Sequence, residues 1–182
     1  MNGFEIKIRE EAFDGAREAL ADLEAELQFR AVRAGLNRAT KPILATMGEL
    51  VPVQQSKDPG KVTGQLKASL ARRSLSKSAR ARLGLAQSTV ALRVGPIRKV
   101  NGRSQEGVGQ LVEFGVDPGT RTVRRNLLGR GVKWHNATYS YFHPGQKPQP
   151  FMANSLERNS STFESLFYQG LNNYLRRKGV GQ

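Results

Sequence analysis

The sequence predicts an α+β protein in which N-terminal helices and a C-terminal helix pack on a small, mostly antiparallel β-sheet, with a long basic loop or hairpin arm. Apolar residues recur every three or four positions in the first 50 residues and again after Phe151, as in amphipathic helices. Between these regions, short stretches alternate apolar and polar residues and end at glycine or proline, which is typical of half-buried strands. We expect residues 1–182 to form a single domain with long arms.

The N-terminal third is predicted to be a short strand followed by a helical region. Phe4, Ile6 and Ile8 alternate with charged residues, which indicates a strand. Helical sequence begins at about Glu10, where acidic residues crowd the first turns that the helix dipole favours for them. The apolar positions of this helical region are Phe13, Ala16, Leu20, Leu23, Leu27, Phe29, Val32, Leu36, Ile43, Met47 and Leu50.

Pro42 interrupts this helical region. Proline deletes one backbone hydrogen bond and clashes with the preceding turn. The sequence therefore allows either one helix that kinks near Arg38 or a second helix that begins at Lys41. Residues 51–63 contain two prolines and a glycine and are predicted to be a loop.

The middle of the chain is predicted to hold two antiparallel strands. A single helical turn leads into the first strand at residues 69–75, and residues 89–96 alternate and end at a Gly-Pro breaker, as the second strand should. Residues 76–87 are predicted to be a basic turn or mobile tip. Residues 97–109 are predicted to be a flexible, polar connection.

Residues 110–115, QLVEFG, form a short apolar element that contains a carboxylate. Glu113 stands between Val112 and Phe114, and a charge in such a place is normally paired. We therefore expect Glu113 to make a structural salt bridge or a hydrogen bond to backbone. Gly115 is expected to adopt a positive φ or to allow a close backbone approach.

Two arms follow this element. The basic arm covers about residues 116–138 and is predicted to be a long loop or a β-hairpin, with residues 137–142 returning as a strand. The extended proline arm covers about residues 142–150. Its prolines, Pro144, Pro148 and Pro150, remove three N–H donors, so this arm is not an interior strand.

Phe151 opens the predicted C-terminal helix, which should pack on the sheet through its apolar residues. The polar stretch 159–161 interrupts the apolar spacing. Cations in the last turn and Gly179 after it are typical of a helix end. The apolar residues at helical spacing are Phe151, Met152, Leu156, Phe163, Leu166, Phe167, Leu171, Tyr174 and Leu175.

The net charge of +14 is concentrated in the middle of the chain. Residues 61–133 carry 16 Lys and Arg against 3 Asp and Glu, whereas residues 1–60 carry 8 against 10. Such a block attracts polyanions with a strong dependence on salt. A solubilising surface or the acidic patch of a partner would account for the same charge.

The sequence lacks the usual signatures of an enzyme or a cofactor site. It has no cysteine, and His135 and His143 have no acidic neighbours at ligand spacing. Gly60-Lys61 lacks the other residues of a phosphate-binding loop, since Val62 follows it. We expect no enzymatic activity, no cofactor and no metal. With no apolar leader and no long apolar stretch, we expect a soluble protein made in a cytoplasm.

Several short motifs occur in an order that resembles the gp-ten-like tail-component family of long-tailed bacteriophages. These are Thr63-Gly64-Gln65-Leu66-Lys67-Ala68-Ser69 after a helical region, Val112-Glu113-Phe114-Gly115, and Pro150-Phe151 at the start of a C-terminal helix. The chain departs from the family in its long basic insertion between Gly115 and Tyr139, and at Asn154-Ser155, where the family more often has proline-alanine.

The resemblance implies a structural protein of the virion at the head–tail junction, acting in tail completion, as a neck protein or as a tail terminator, and assembled in the host cytoplasm. Its partners would be other copies of itself in a ring, for which six-fold symmetry is favoured and twelve-fold is allowed. Further partners would be head connector or stopper proteins, tail tube or terminator proteins, and genomic DNA in the lumen, bound without sequence preference. The alternative is a non-specific nucleic-acid-binding protein that works as a monomer or dimer.

Two sets of candidate site residues follow from these expectations. The candidates for phosphate contact are Arg72, Arg73, Arg80, Arg82, Arg98, Lys99, Arg121, Arg124, Arg125 and Arg130. The candidates for a subunit interface are Tyr141, Phe142, Pro144, Pro148 and Pro150, because aromatic anchors on a pre-extended arm bind with little ordering cost. Glu113, Gly115 and Phe151 are expected to be structural.

Overall fold

The computed structural model describes residues 16, 20, 21, 23–53, 64–86, 88–127 and 135–180, with only the backbone at residues 121, 123–127, 135–139 and 141. The chain divides into two compact units, Met1–Gly109 with Phe151–Gln182, and Gln110–Pro150. The predicted strand at residues 4–8 and the start of the N-terminal helix lie outside the described residues.

The described elements form a small α+β fold with antiparallel sheets, as predicted. The helices are α1 (Ala25–Leu50), α2 (Gln65–Ala68), α3 (Lys77–Arg82), α4 (Glu106–Phe114) and α5 (Phe151–Arg177). The strands are β1 (Leu70–Ser74), β2 (Leu92–Pro96), β3 (Lys99–Val100), β4 (Arg103–Ser104), β5 (Gly119–Leu127) and β6 (His135–His143).

Pro42 lies inside α1, so the helical region from Ala25 to Leu50 is one helix rather than two. Because proline has no N–H, the carbonyl of Arg38 lacks its usual donor. Arg72 of β1 donates a hydrogen bond to the neighbouring carbonyl of Asn37, in the same turn. A side chain from β1 therefore bonds to α1 at the carbonyl next to the one that Pro42 leaves without a helical donor.

The core of the larger unit is formed by α1 and α5, which run antiparallel and cross closely at two glycines. A Cβ atom on Gly170 would lie 2.9 Å from the Cα of Gly35 and 2.8 Å from the carbonyl oxygen of Ala34. A Cβ atom on Gly35 would meet the ring of Phe167 at 2.7 Å. This approach brings the two backbones into contact, which large side chains would prevent.

The residues of α1 that are buried differ in part from the apolar residues that the sequence predicts to face the core. Phe29, Val32 and Leu36 are only half-buried, whereas Ala31, Gly35 and Ala39 are buried against the rest of the unit. Small residues occupy these buried positions because the two helices approach closely there. The predicted C-terminal part of the stripe is confirmed, since Ile43 and Met47 are buried.

The C-terminal helix packs chiefly on α1, whereas the sequence analysis placed it on the sheet. Phe151, Phe163 and Phe167 are buried as predicted, and α1 rather than α5 is the helix that lies along β1 and β2. Helix α5 continues through residues 159–161, where polar residues interrupt the apolar spacing. Asn159 fits there by donating hydrogen bonds to the Thr46 hydroxyl of α1 at 3.0 Å and to the Ser155 carbonyl at 2.8 Å.

The predicted strand pair is confirmed. Helix α2 provides the single turn before β1, and β1 pairs antiparallel with β2 from Leu70 opposite Pro96 to Ser74 opposite Leu92. In this register Arg73 stands directly opposite Arg93. Like charges in that relation repel each other, and the ion pair of Arg93 with Glu106 offsets part of this repulsion.

Residues 97–109 form regular structure, so the prediction of a flexible connection is wrong. Strands β3 and β4 make a two-residue hairpin, with Lys99 opposite Ser104 and Val100 opposite Arg103. Asn101 and Gly102 form its turn with positive φ values of 51° and 74°. Asn-Gly is the preferred dipeptide for such a turn, and it was the sequence signal for this hairpin.

The prediction of a basic turn or tip at residues 76–87 also needs correction, because residues 77–82 form α3. The hydroxyl of Ser76 accepts a hydrogen bond from the backbone N–H of Ala79 and caps the helix. Gly84, with φ of 69°, ends it in the left-handed conformation. A Ser cap followed eight residues later by Gly was present in the sequence.

The unit Gln110–Pro150 contains the predicted hairpin. Strands β5 and β6 pair antiparallel from Gly119 opposite His143 to Leu127 opposite His135. At its base, the backbones of Val116 and Gln146 exchange two hydrogen bonds of 2.9 and 2.7 Å. We call strands β5 and β6 together the ribbon.

The proline arm is hydrogen-bonded to its own chain. The backbone N–H of Gln149 donates to the carbonyl of Val112 at 2.8 Å, and Gln146 is paired with Val116. Gly115 has a φ of 76°, and a Cβ atom there would lie 2.6 Å from the carbonyl oxygen of Gln146. Both expectations for Gly115, a positive φ and a close backbone approach, are confirmed.

Candidate polyanion-binding surface

Four of the predicted phosphate contacts are exposed side chains of the larger unit. They are Arg73 on β1, Arg82 at the end of α3, Arg98 after β2, and Lys99 on β3. The ion pairs that the structure describes, Arg30 with Glu26 and Arg93 with Glu106, involve other side chains. These four cations are therefore available to an external anion.

The prediction that Arg80 contacts phosphate is wrong, because this residue is only 4% exposed. Its Nη1 donates a hydrogen bond of 2.9 Å to the carbonyl of Thr89, and its guanidinium carbon lies 5.2 Å from the centroid of the Phe29 ring. Its Nε is buried and has no hydrogen-bond partner among the described residues. A guanidinium packed on an aromatic face gains a cation–π attraction, so Arg80 fixes α3 against α1.

Arg72 is also hydrogen-bonded to other residues of its own unit. It is half-buried, and its Nη1 donates hydrogen bonds to the carbonyl of Asn37 and, at 3.3 Å, to the hydroxyl of Thr40. Both acceptors belong to α1. We therefore withdraw Arg72 from the phosphate-contact set and treat it as a residue that joins the sheet to the helix.

Two exposed arginines that the sequence analysis missed belong to the same region. Arg93 faces Arg73 across the strand pair and forms an ion pair with Glu106, which only partly offsets the local positive charge. Arg103 is exposed on β4. The Asn-Gly turn signal could have identified Arg103, because it places residues 99–104 on one rigid hairpin.

We define the basic face as the exposed cations of β1, β3, β4 and the turn before β3, which all lie in one compact unit. The Ser69 carbonyl accepts a hydrogen bond of 2.9 Å from the backbone N–H of Arg98, which fixes this turn to the start of β1. A strand rises about 3.3 Å per residue, so Arg73 is roughly 13 Å along β1 from Ser69. That separation suits a linear polyanion rather than a small ligand. We use the name basic face for the set Arg73, Arg98, Lys99 and Arg103, within which the β3–β4 register puts Lys99 and Arg103 on opposite sides of their hairpin.

Three of the remaining candidate cations belong to the ribbon. Arg121, Arg124 and Arg125 are backbone-paired residues of β5, opposite Tyr141, Thr138 and Ala137. Arg130 lies outside the described part of the chain. Residues 118–150 carry six Lys and Arg and no Asp or Glu, and three of these cations, Arg121, Arg124 and Arg125, belong to the ribbon, all on β5.

The predicted interface residues are exposed wherever their side chains are described. Phe142 is 68% exposed, and Pro144, Pro148 and Pro150 are exposed as well. Tyr141 is described only by its backbone, opposite Arg121. An apolar ring with that exposure favours a contact outside the chain, although exposed apolar residues are common singly.

The residues predicted to be structural are buried or are closely surrounded by other atoms of the chain. Glu113 and Phe151 are each 2% exposed, and Glu113 is engaged within the chain. His143 accepts a hydrogen bond of 3.0 Å at Nδ1 from the backbone N–H of Gly145, which stabilises the turn after β6. These contacts give Glu113 and His143 structural roles.

No protein-family model, curated protein or solved structure matches this chain. Among the helices described here, none is long and apolar enough to cross a membrane. The described residues also contain no cluster of three or more His, Asp or Glu side chains that could hold a metal ion. Function must therefore be inferred from the fold and from the distribution of charge.

Proposed function

We propose that this chain is a structural protein of the bacteriophage head–tail junction that assembles into a ring around the DNA channel. The basic face is the observation that carries the proposal, because its cations are exposed and the ion pairs within the described part of the chain involve other side chains. Sequence-independent positive charge is what a passage for a whole genome requires, since contacts with bases would hinder the DNA.

The motifs of the family resemblance coincide with structural positions that need those residues. Gly115 ends the V-E-F-G motif with a positive φ in a space that a Cβ atom would not fit. Pro150 precedes the first residue of α5, and Phe151 is buried at that helix start. The motifs therefore have a physical basis in this chain, which supports the resemblance.

The ring would join the tail tube or its terminator to the head connector or its stopper. Ring closure requires heterologous contacts, in which one surface of a subunit binds a different surface of the next. The exposed Phe142 and the exposed prolines beside it supply one such surface. The role is structural, so the proposal includes no catalysis and no cofactor.

Measurement of the native mass tests the ring. We expect an assembly of about six subunits of the 20.1 kDa chain, formed by the protein alone or on purified tail tubes. A chain that remains a monomer or dimer under both conditions would contradict the ring. It would support the alternative, a non-specific nucleic-acid-binding protein, for which the same basic face would be the binding surface.

The salt dependence of DNA binding tests the basic face. Replacing Arg73, Arg98, Lys99 and Arg103 by Gln should lower the slope of log affinity against log salt by up to about 3 to 4 per bound subunit, since each lost phosphate contact removes about 0.9. Fluorescence anisotropy with duplexes of two unrelated sequences measures this slope, and both should change equally.

Two controls make this measurement specific. Arg158, Arg176, Arg177 and Lys178 are four exposed cations associated with α5, and replacing them by Gln removes the same charge from another surface. Arg80→Met removes a buried cation and should leave the slope unchanged. An equal loss of slope in the α5 variant would show that overall charge, rather than the basic face, governs binding.

A further inference from the structure

We infer that the β3–β4 hairpin enters the major groove of duplex DNA, where Lys99 and Arg103 contact the phosphates of opposite groove walls. This contact rests on the proposed function, in which DNA passes through the ring. It makes the hairpin the part of the basic face that the duplex meets on two sides.

The pairing of the hairpin places its two cations on opposite faces. Lys99 pairs with Ser104, and Val100 pairs with Arg103. Residues directly opposite each other share a face, and successive residues of a strand point to opposite faces. Lys99 therefore lies on one face and Arg103 on the other. A polyanion lying flat against either face reaches only one of these cations, so contact with both requires phosphates on two sides.

The hairpin is exposed at its turn and held at its base. Lys99 and residues 101–104 are exposed, so both cations and the turn are accessible. Before β3, the backbone N–H of Arg98 donates a hydrogen bond of 2.9 Å to the carbonyl of Ser69. After β4, Gln105 is only 7% exposed. Both ends of the hairpin are thus fixed to the larger unit, while the turn remains accessible to DNA.

The dimensions of the hairpin fit the major groove. A β-layer with side chains on both faces is about 10 Å thick, the spacing of stacked sheets. The major groove of B-DNA is about 12 Å wide and admits a two-stranded ribbon, whereas the minor groove is only about 6 Å wide. The turn adds little bulk, because Gly102 has no side chain and Asn101 has a short one. With so little to offer the base edges, the hairpin binds without strong sequence preference, as a passage for a whole genome requires.

The positive charge of the hairpin is not offset by neighbouring acids. Residues 59–105 contain no Asp or Glu, and Glu106, which follows them, is paired with Arg93. Among the described residues, the ion pairs do not include Lys99 or Arg103. Phosphates that meet these two cations therefore release their own counterions, which lowers the affinity as salt rises.

Exchange of two adjacent residues tests the two-sided contact. Lys99→Val combined with Val100→Lys keeps the composition and the net charge, but it moves the cation to the face that carries Arg103. One groove wall then loses its contact, so the slope of log affinity against log salt for duplex DNA should fall by about 0.9. Lys99→Gln combined with Arg103→Gln should lower the slope by about 1.8. Melting curves verify that both variants remain folded.

Filling the major groove, with the phosphates unchanged, tests where the hairpin lies. A duplex whose cytosines are replaced by glucosylated hydroxymethylcytosine carries sugars in that groove, and the same duplex with methylcytosine carries only methyl groups there. The wild-type slope should be lower by about 1.8 on the glucosylated duplex, because the sugars exclude the hairpin. The Lys99→Gln, Arg103→Gln variant should give equal slopes on the two duplexes, since its hairpin has no contact left to lose.

Arg176→Gln combined with Arg177→Gln is the control, because it removes two exposed cations of α5 and should leave both wild-type slopes unchanged. An exchange variant whose slope is unchanged or steeper overturns the groove contact, as do equal wild-type slopes on the two duplexes; either result leaves the basic face and the ring standing. A wild-type chain that binds neither duplex overturns this contact together with the role of the basic face. A chain that forms no ring, alone or on tail tubes, overturns the proposed function, while the slopes still decide the groove contact.

Discussion

Replacing Gly170 by Leu is expected to destabilise the protein by at least about 1 to 3 kcal/mol, the usual range for overpacking a core. A Cβ atom at this position would lie 2.8 Å from the carbonyl oxygen of Ala34 and from the Cβ of Arg38, and 2.9 Å from the Cα of Gly35. Two of those atoms are backbone, which no rotamer change can move aside. Accommodation requires α1 and α5 to separate along the core. Urea unfolding followed by circular dichroism measures the loss.

Gly48 provides the matched control for Gly170. It is also a helical glycine, but nothing lies within 4 Å of a Cβ atom built on it. Gly48→Ala should therefore stabilise the protein by about 0.5 to 1 kcal/mol, the helix-propensity difference between these residues. If Gly170→Leu unfolds at the wild-type urea concentration, the close crossing of the helices is wrong.

Replacing Phe167 by Ala is expected to lower the free energy of unfolding by about 3 to 5 kcal/mol. Phe167 is 2% exposed, its ring covers Gly35, and it makes an edge-to-face contact with Tyr168 at a centroid distance of 5.8 Å. Its removal leaves a cavity between two helices whose backbones already touch at the neighbouring glycine, so the helices have little freedom to close it.

Phe142→Ala is the control for the loss of a phenylalanine ring. Phe142 is 68% exposed, so the stability of the monomer should change by less than about 0.5 kcal/mol. The same variant reports on assembly, since the exposed ring is a candidate for a subunit contact. Equal destabilisation by both substitutions would contradict the burial difference between these two residues.

Local signals in the sequence predicted much of the secondary structure. Alternation ending at Gly-Pro predicted β2, proline followed by an apolar helical spacing predicted the start of α5 at Phe151, and the basic stretch after Gly115 was predicted as a loop or hairpin. Two further local signals in the sequence indicate elements that were not predicted, the β3–β4 hairpin and helix α3. These signals are the Asn101-Gly102 turn, and Ser76 with Gly84 at the two ends of α3.

The sequence does not predict which arginines are bonded within the protein and which are exposed. Arg72 and Arg73 are adjacent in a basic strand, yet one is bonded to α1 and the other is exposed, because successive residues of a strand point to opposite faces. Which of those faces meets a helix depends on a contact with residues more than thirty positions away. Charge counting cannot distinguish the two residues.

The amino-acid sequence is enough to predict the fold class, the position of the strand pair and the start of the C-terminal helix, and it shows the concentration of positive charge between residues 61 and 133. These properties depend on spacing, turn residues and composition, which are local. Three features are visible only in the folded molecule: α5 packs on α1 through Gly35 and Gly170, Pro42 remains inside one helix, and Arg80 is buried on Phe29. Each of these depends on which distant surfaces approach closely enough to exclude a side chain or to supply a hydrogen-bond partner, and that is a property of the packed molecule.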